Sequence, residues 1–570
     1  MYGLETIVAW AKRRGFVYPW SDIYGGLANA WDLWPYWAIL RKNILDSWWK
    51  TFVQKRQDII PIDSAILMNP KVWEASGHLG NFSDPLIDDK NTWERFRVDK
   101  LIEEKLEDMK KQQKRDIELK FLSFLKENNY LNSVHKHKTY NDILYNVSFN
   151  SEIYNEFIAK EFWEHNFDLL QYFGAHSCCW DELLLFWDYI NENIDKQLLK
   201  QLLQDGLQLP NLIPESWTFE QMKAFVEKYI PNNPNTGKKA DWTDIRKFNL
   251  MFKTFQWVIE DKWSEIYLRP ETAQWIFVNF KNILDTTRVR IPFGIAQIWK
   301  SFRNEITPWN FLYRVREFEQ MEIEYFVPPH EDEEHFEKWK QDSINWWLNE
   351  LWIKKENLRF RDHEKDELSH YSAWTVDIEY KFPWWWWELQ WIARRTDYDL
   401  TQHQKFSGEN MQYTDPKTWK RYIPWVIEPS WGLTRAILTV MLDAYDEETY
   451  VDPQWREQTR VVAHFHPNVA PIKFAILPLA EKNQQQVDIA EKIFQKLSEK
   501  YMCEYDWKWN IWKRYRRQDE IWTPYCITVD FDTLEDDTIT VRDRDTMKQI
   551  RIKIDELLKL SLDDLHNRFN

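Results

Sequence analysis

The sequence predicts an α+β fold: an antiparallel sheet core with helices and an inserted region, followed by a small α/β domain. Strand-like segments rich in β-branched and aromatic residues crowd residues 248–330 and return at 374–393 and 421–429. Residues 99–130 are highly charged with apolar positions at helical spacing, which predicts an exposed helix. After residue 470, strand-like and helical segments alternate, which is typical of an α/β domain of ~100 residues.

Individual elements follow from their local patterns. Residues 1–85 mix short apolar runs with turn signals, and residues 150–230 look helical and irregular. Residues 331–350 are amphipathic at the helical period, and GLTRAILTVMLDAY predicts a helix from residue 432. The apolar run at 472–480 predicts a buried strand, and YCITVDF, TITVRDR and IRIKI predict three more before a final helix. A charged helix after the buried strand carries one apolar face, formed by Val487, Ala490, Phe494 and Leu497.

The composition excludes several classes of protein. A length of 570 residues predicts two to four domains at roughly 150 residues each, and 44% hydrophobic residues exclude a disordered chain. The net charge of −16 excludes a polycation that coats nucleic acid, although a local basic face can still bind it. Four cysteines without a CxxC motif predict a reduced, cytoplasmic protein. No apolar run approaches the ~20 residues of a membrane helix, so we expect no membrane association.

Charged residues concentrate on a predicted strand pair at 300–324, joined at ITPWNF. On such strands Arg303 and Glu305 would share a face, as would Arg314 and Arg316. Spacing alone leaves two readings open: a solvated sheet face with cross-strand ion pairs, or a sheet that binds phosphate groups.

This segment also carries a family resemblance. FRNE followed by REFEQMEIEYF resembles motif 2 of class II aminoacyl-tRNA synthetases, and GLTR (432–435) resembles their motif 3. In order along the chain stand RRGFVYP, IYGGLANAWD, DSAILMNPKVWEASGH, FNLMFKTFQ, LRPETAQ, RTDYDL, VIEPS, KRYRRQDE and VDFDTLEDDTITVRDRDT. This ordered set is similar to glycyl-tRNA synthetase of the homodimeric type across nearly the whole chain.

The resemblance implies four regions and a set of partners. They are the first part of the catalytic domain (1–85, with motif 1 among residues 30–60), a mainly helical insertion (86–245), the catalytic core with motifs 2 and 3 (246–460) and an anticodon-binding domain (466–570). The implied substrates are ATP, glycine and tRNA-Gly, joined through a glycyl-adenylate by a homodimer, with Mg²⁺ accompanying ATP. Cysteine pairs that hold zinc in some family members are absent here, where Asp89 and Thr92 stand instead, so we expect no zinc.

The resemblance also assigns site residues. Arg303, Glu305 and Arg435 match the catalytic positions. The positions that match ATP-binding residues are Arg303, Asn304, Glu305, Tyr313, Arg314, Val315, Arg316, Glu317, Phe318, Glu388, Leu389, Gly432, Leu433, Thr434 and Arg435. The positions that match glycine-binding residues are Arg97, Glu271, Phe318, Glu319, Gln320, Met321, Glu322, Glu428, Pro429, Ser430, Trp431 and Gly432. Taken alone, Glu271 is also explained as a carboxylate at a helix start after Pro270, and Glu428 as an ion-pair member.

Tryptophan and glycine counts are both abnormal. The chain has 37 Trp and 12 Gly, whereas ordinary usage of about 7% would give roughly 40 glycines. A UGA codon that is glycine in the native source and tryptophan in the written sequence would explain both deviations. Ten tryptophans stand where the family motifs have glycine: Trp34, Trp37, Trp257, Trp263, Trp275, Trp299, Trp309, Trp391, Trp512 and Trp522.

Two other functions stay open at this level. A non-catalytic paralogue of the same fold would act as an accessory or nucleic-acid-binding subunit, and KRYRR (513–517) would be either a phosphate-contacting patch or a solvated face. Another class II enzyme with the same anticodon domain is disfavoured by the PETAQ and IEPS elements.

Overall fold

The computed structural model describes residues 2–27, 30–127, 194–256, 258, 264–306, 310–364, 368–369, 371–451, 455–480 and 482–569. The chain divides into two compact units, Met1–Phe82 with Leu250–Asn570, and Ser83–Asn249. The predicted helical region at 150–230 lies outside the described residues up to 193. No helix in the described ranges is long and apolar enough to cross a membrane.

The first unit is built on a seven-stranded sheet. Its strands are β3 (Ile59–Pro61), β9 (Phe293–Phe302), β10 (Glu317–Val327), β11 (Leu358–Asp362), β12 (Trp374–Phe382), β13 (Trp385–Thr396) and β16 (Trp425–Gly432). Their order is β11-β12-β13-β16-β10-β9-β3. Every pair is antiparallel except β3 with β9. The predicted antiparallel sheet core is therefore confirmed.

The two faces of this sheet differ in chemistry because side chains alternate along each strand. Met321, Ile323 and Trp431 enter the main apolar core on one face. That face packs against the helices Pro35–Trp49, Asp332–Asn345 and Leu433–Ala444. The opposite face, called the polar face below, carries Gln320, Glu322, Glu324, Trp391, Arg395, Glu428 and Ser430.

The remaining elements of the catalytic part are short. Its other helices are Leu4–Arg13, Pro70–Ala75, His78–Asn81, Ala273–Thr287 and Tyr398–Ser407, with π-helical turns at Lys50–Gln54 and Trp346–Glu350. The small strand pairs are β1 (Val17–Pro19) with β2 (Trp31–Leu33), β7 (Lys253–Phe255) with β8 (Glu265–Tyr267), β14 (Tyr413–Thr414) with β15 (Arg421–Tyr422), and β17 (Tyr445–Val451) with β18 (Glu457–Ala463).

The predicted α/β domain closes the chain. Its strands are β19 (Phe474–Pro478), β20 (Cys503–Tyr505), β21 (Tyr525–Val529), β22 (Thr538–Asp543) and β23 (Gln549–Lys553), in the order β20-β19-β21-β22-β23. Its helices are Gln484–Ser498, Ile511–Glu520, Thr533–Asp536, Ile554–Leu557 and Leu562–Asn567. The buried face of the first of these helices comprises Gln486, Ala490, Ile493 and Leu497. Ala490 and Leu497 were predicted, whereas Gln486 and Ile493 take the places predicted for Val487 and Phe494. Gln486 replaces an apolar residue there because its side-chain oxygen accepts from the Ala480 N–H.

The second unit combines a small sheet with helices. Its sheet is β4 (Ser83–Asp89), β5 (Glu94–Arg97) and β6 (Arg246–Asn249), in the order β5-β4-β6. The charged helix predicted at 99–130 is observed at Val98–Glu127, and further helices lie at 194–204 and Phe219–Tyr229. A capping box between Thr218 and Gln221 begins the last of these.

A buried ion-pair cluster joins the β17–β18 hairpin to the last domain. Asp519 accepts hydrogen bonds from Arg460 at 3.2 Å and from Arg542 at 2.7 and 3.1 Å, and its side chain is only 1% exposed. Asp519→Ala is expected to lower the free energy of unfolding by ~3–5 kcal/mol, because the buried guanidinium of Arg542 loses its carboxylate partner and that of Arg460 keeps only Glu448. Denaturant unfolding measures this, and Glu499→Ala, at an exposed ion pair, should stay within ~0.5 kcal/mol of the original. An equal effect of both substitutions would contradict the role of the cluster.

Candidate active site

The segment between β9 and β10 corrects one prediction. β9 ends at Phe302 and β10 begins at Glu317, so Arg303, Glu305, Arg314 and Arg316 do not lie on strands. The ladder ends with the Arg303 N–H, which donates to the Arg316 carbonyl at 2.9 Å. The intervening ITPWNF contains a proline, which lacks the N–H that a paired strand needs. Residues 307–309, including Trp309, lie outside the described part of the chain.

Arg303 is held against aromatic rings at the end of the polar face. Its guanidinium lies 5.2 Å from the Phe318 ring and 5.3 Å from the Phe82 ring, and its Nε donates to the Pro270 carbonyl at 3.1 Å. Phe318 stands opposite Ser301 on the sheet. A guanidinium with one nitrogen anchored can bind phosphate oxygens with its others, and the adjacent ring can stack on a base.

A second arginine is fixed at the start of the helix Leu433–Ala444. Arg435 pairs with the Glu388 carboxylate and lies 4.4 Å from the Tyr313 ring, and the Tyr313 hydroxyl donates to the Glu388 carbonyl at 2.8 Å. Burial opposes the charge of Arg435, but Glu388 and then Tyr313 outweigh burial and raise its pKa. This guanidinium is therefore a permanent positive charge at the edge of the site.

The other residues that match ATP-binding positions either belong to the apolar core or make local contacts beside the site. Leu389 and Leu433 belong to the apolar core, so only their backbone atoms can contact a ligand on the polar face. Glu305 is nearly buried and its carbonyl accepts from Arg316 Nε at 2.9 Å. Other members make local contacts or are buried. The Asn304 N–H donates to the Leu250 carbonyl, Glu317 pairs with Lys300, the Thr434 hydroxyl oxygen accepts from the Glu319 N–H, and Val315 is buried.

Carboxylates gather around one buried arginine on the polar face. Glu428 on β16 lies 2.9 Å from Arg395 Nη1, and both side chains are almost fully buried. Glu322 and Glu324 on the neighbouring β10 are fully buried, and oxygen atoms of these three glutamates lie within 4.8 Å of one another. Glu271, before the helix Ala273–Thr287, lies 3.2 Å from His78 Nε2. We call Glu271, Glu322, Glu324 and Glu428 the acid pocket.

The carboxylates of the acid pocket are not equivalent. Burial raises the pKa of Glu322, and the charges of Glu428 and Glu271 raise it further. Burial and then Glu428 likewise raise the pKa of Glu324. Burial would also raise the pKa of Glu271, but His78 outweighs it and the pKa is lowered. Burial and mutual repulsion therefore favour the neutral forms of Glu322 and Glu324, and a bound cation would favour their charged forms.

Unsatisfied acceptors mark the pocket as a binding site for a donor. Both Glu324 oxygens and Ser430 Oγ are buried and lack a hydrogen-bond partner within the described ranges. Arg395 donates to Asp399 at 2.8 and 3.0 Å and to Glu428 at 2.9 Å, and it leaves both Glu324 oxygens without a hydrogen bond among the described residues. Buried polar groups normally have partners, so this arrangement favours a small cation with several N–H donors, such as an ammonium group.

Sequence reasoning missed four side chains of this site. Arg395 and His78 lie inside the motifs RTDYDL and WEASGH, yet neither carried a role, because their contacts with Glu428 and Glu271 join residues that are far apart in sequence. Glu324 continues the alternation of Glu322 on β10, which is a signal that the strand pattern did contain. Tyr371, whose ring lies 3.9 Å from the Arg395 guanidinium, had no signal at all.

Four of the residues that match glycine-binding positions point away from the pocket. Met321 and Trp431 enter the apolar core, Glu319 pairs with Arg41, and Pro429 shares their side of its strand. Strand alternation is the reason, so these four can contribute only backbone atoms to the pocket, and their match to glycine-binding positions stays a prediction. Phe318, Gln320, Glu322, Glu428, Ser430 and Gly432 alternate onto the polar face. Arg97 belongs to the second unit, where it pairs with Asp84 and Asp99.

Two indoles share the polar face with the acid pocket. Trp391 on β13 stands directly opposite Ser430 on β16, and Trp299 on β9 stands opposite Gln320 on β10. Directly opposed residues of antiparallel strands have Cβ atoms ~5 Å apart and project on the same side. Both indoles therefore project from the sheet face that carries the acid pocket.

The region where some family members hold zinc is a hydrogen-bonded cluster. Asn233 Nδ2 donates to Asp89 at 2.9 Å and to Glu94 at 2.7 Å, and Thr92 donates to Asp89 at 3.1 Å. Burial would raise the pKa of Asp89, but hydrogen bonds from Asn233 and from backbone N–H groups lower it to about 2. These side chains already satisfy one another, and the expected absence of zinc stays a prediction.

The basic KRYRR segment is buried at Arg514 and Tyr515, half-buried at Arg516 and Arg517, and exposed at Lys513. Arg514 is buried and donates to the Pro478 carbonyl at 2.7 Å, and Arg517 pairs with Asp506. Arg516 lies 4.3 Å from the Tyr450 ring and Lys513 lies 4.8 Å from the Trp509 ring. Its arginines therefore hold the domain together, and neither the phosphate patch nor the merely solvated face describes the whole segment.

Three protein-family models match successive parts of the chain. Residues 84–169 match the glycyl-tRNA synthetase insertion domain 1, residues 255–445 the tRNA synthetase class II core domain (G, H, P, S and T), and residues 473–563 an anticodon binding domain. A prolyl-tRNA synthetase structure from Giardia lamblia, in complex with prolyl-adenylate, aligns over 55% of this chain and 60% of that chain, with a TM-score of 0.42 and 18% identity.

Curated relatives match the chain from end to end. Glycine–tRNA ligase of Acetivibrio thermocellus is 48% identical over 555 residues, covering 97% of each chain. The same enzyme of Caldanaerobacter subterraneus is 46% identical over 98% of this chain and 97% of its own. That of Staphylococcus aureus is 46% identical over 97% of each. With nearly half of its residues shared over almost its whole length, the chain belongs to the glycine–tRNA ligase family.

Proposed function

We propose that this chain activates glycine with ATP and transfers it to tRNA-Gly. The observation that carries the proposal is the acid pocket, four buried carboxylates around Arg395, on the same sheet face as the Arg303–Phe318 pair. Glycine offers only an ammonium and a carboxylate for recognition. The acid pocket suits the ammonium, and close walls exclude any side chain larger than hydrogen.

The chemistry follows from the charges around the pocket. The glycine carboxylate attacks the α-phosphorus of ATP, the bond to the bridging oxygen breaks, and pyrophosphate leaves. Arg303 stabilises charge on the α-phosphate, Phe318 stacks on adenine, and Arg435 holds the γ-phosphate. The terminal adenosine hydroxyl of the tRNA then attacks the adenylate carbonyl, and AMP leaves.

Glu388 fits a magnesium ion that accompanies ATP. Its side chain is 33% exposed, and it is a hard oxygen ligand beside the arginine that would hold the γ-phosphate. Mg²⁺ is commonly held by one or two carboxylates together with phosphate oxygens, and it neutralises phosphate charge. A homodimer and anticodon recognition by the last domain complete the proposal, supported by the family and by the match at residues 473–563.

Glycine-dependent exchange of pyrophosphate into ATP tests the proposal on protein isolated from its native source. We expect exchange with glycine and none with proline, threonine or histidine. Exchange driven by one of those three amino acids would assign another class II activity. No exchange with any amino acid would favour the non-catalytic paralogue.

The affinity for glycine should depend on pH. Burial and neighbouring carboxylates raise the pKa of Glu322 and Glu324, so the pocket loses negative charge as the pH falls. The ammonium of glycine stays charged throughout, and we therefore expect KM for glycine to rise as the pH is lowered and proton release when glycine binds. Calorimetry in buffers of different ionisation enthalpy measures that release. A KM that is flat or falls on acidification would contradict the assignment.

A further inference from the structure

Tryptophan repeatedly adopts the backbone conformation of glycine in this chain. Fifteen non-glycine residues in the described ranges have positive φ, and seven of them are tryptophan. They are Trp93, Trp352, Trp385, Trp419, Trp455, Trp509 and Trp522. A left-handed conformation costs an L-residue ~1–2 kcal/mol because Cβ approaches the next carbonyl oxygen, and glycine avoids this cost. Nothing in an indole favours that conformation.

One of these residues ends a helix in the way glycine does. The helix Ile511–Glu520 is capped by Ile521, and the next residue, Trp522, has φ 76°. The backbone Trp522 N–H donates to the Asp519 carbonyl at 3.3 Å, and the Thr523 N–H donates to the Gln518 carbonyl at 3.0 Å. This pair of bonds is the Schellman pattern. Gly408 ends the helix Tyr398–Ser407 with the same φ of 76°.

Two more of these tryptophans lie in the turns of β-hairpins. The Trp93 N–H donates to the Asp89 carbonyl at 2.7 Å between β4 and β5, and the Trp419 N–H donates to the Asp415 carbonyl at 2.8 Å between β14 and β15. Each indole is 79% exposed, so neither gains burial that would offset a strained backbone. Turns of this kind normally place glycine at the left-handed position.

Other tryptophans look entirely different. Trp346 and Trp347 lie in a π-helical turn, are almost fully buried, and donate their indole N–H to Ser47 Oγ at 3.2 Å and Gln390 Oε1 at 2.7 Å. Trp522 is equally buried, yet its indole N–H has no partner among the residues described. Buried indole N–H groups without a partner in the described ranges also occur at tryptophans whose φ is not positive, such as Trp48 and Trp73, so backbone conformation alone separates the two structural classes.

We propose that Trp93, Trp352, Trp385, Trp419, Trp455, Trp509 and Trp522 are glycine in the protein made by its native source, where the codons at these positions are read as glycine. The inference rests on backbone conformation and hydrogen bonding and does not depend on the reaction. It also accounts for the counts of 37 Trp and 12 Gly. Trp346 and Trp347 remain tryptophan on the same grounds.

Peptide mass spectrometry of the native protein tests both classes in one peptide. Trypsin releases Gln341–Lys354, which contains Trp346, Trp347 and Trp352. We expect glycine at position 352 and tryptophan at 346 and 347. The peptide Gln518–Arg542 should carry glycine at its single tryptophan position, 522. Tryptophan at 352 or 522 overturns the proposal, and this readout is independent of any activity.

A second measurement uses the recombinant chain with the written sequence. Trp419→Gly removes an exposed side chain from a left-handed position and is expected to raise the thermal midpoint by ~2–4 °C. Trp49→Gly removes a partly exposed indole with helical φ of −58° from the helix Pro35–Trp49, where glycine weakens the helix, and should lower the midpoint. A fall of the midpoint for Trp419→Gly would contradict the backbone argument.

Discussion

Trp391→Gly is expected to raise glycine-dependent ATP–pyrophosphate exchange by the written chain ~100-fold or more. Trp391 stands opposite Ser430 on the polar face, and its strand neighbour Ala393 stands opposite Glu428. Its indole therefore occupies space beside the acid pocket. Displacing reacting groups by ~1 Å already costs ~10²-fold, and an indole is several times wider than that.

The matched control is Trp425→Gly. Trp425 lies on β16, the strand that carries Glu428, but it alternates onto the opposite face of the sheet, with its ring 4.4 Å from His330. This substitution removes the same side chain from the same sheet and should leave exchange unchanged apart from any loss of folded protein. Equal gains from both substitutions, or no gain at position 391, would show that the indole does not obstruct the pocket.

The fold was predictable because its signals are local. Strand alternation, the helical period at 331–350 and the apolar run at 472–480 each report on neighbouring residues. The segment from Arg303 to Arg316 was placed on strands because its charges alternate, but the pairing ends where Arg303 meets Arg316. Alternation of charges alone does not distinguish a strand from an extended loop that holds its side chains by other contacts.

The site was predictable only where it coincides with a motif. Glu271, Glu428 and Ser430 were found in this way, and the structure places Glu428 and Ser430 on one strand face. Arg395 was not found, because its importance lies in its contacts with Asp399 and Glu428, 4 and 33 residues away in the chain. Contiguous motifs also included residues such as Trp431 whose side chains enter the core. The residues that face the pocket and those that face the core are distinguished only by the alternation of side chains along the strand.

Glu428→Gln is expected to lower kcat/KM for glycine by ~10²–10³-fold. The carboxylate is 2% exposed and pairs with the equally buried Arg395, so it is positioned by an ion pair that water does not screen. Truncating one partner of a buried charged contact costs ~2–5 kcal/mol. Because the amide is neutral, the pocket also loses attraction for the ammonium of glycine, and the effect should fall on KM for glycine and leave KM for ATP nearly unchanged.

The measurement uses exchange kinetics in the Trp391→Gly background, with Asp332→Asn as the matched control. Asp332 is a buried carboxylate that pairs with Arg394, the residue beside Arg395, but on the other side of the strand. Both substitutions remove the charge of a buried carboxylate paired with an arginine of β13, so they share their structural cost. Only Glu428→Gln should raise KM for glycine, because only Glu428 lies in the acid pocket. A comparable rise of KM for glycine in Asp332→Asn would mean that the sheet was distorted, and an unchanged KM in Glu428→Gln would remove Glu428 from glycine recognition.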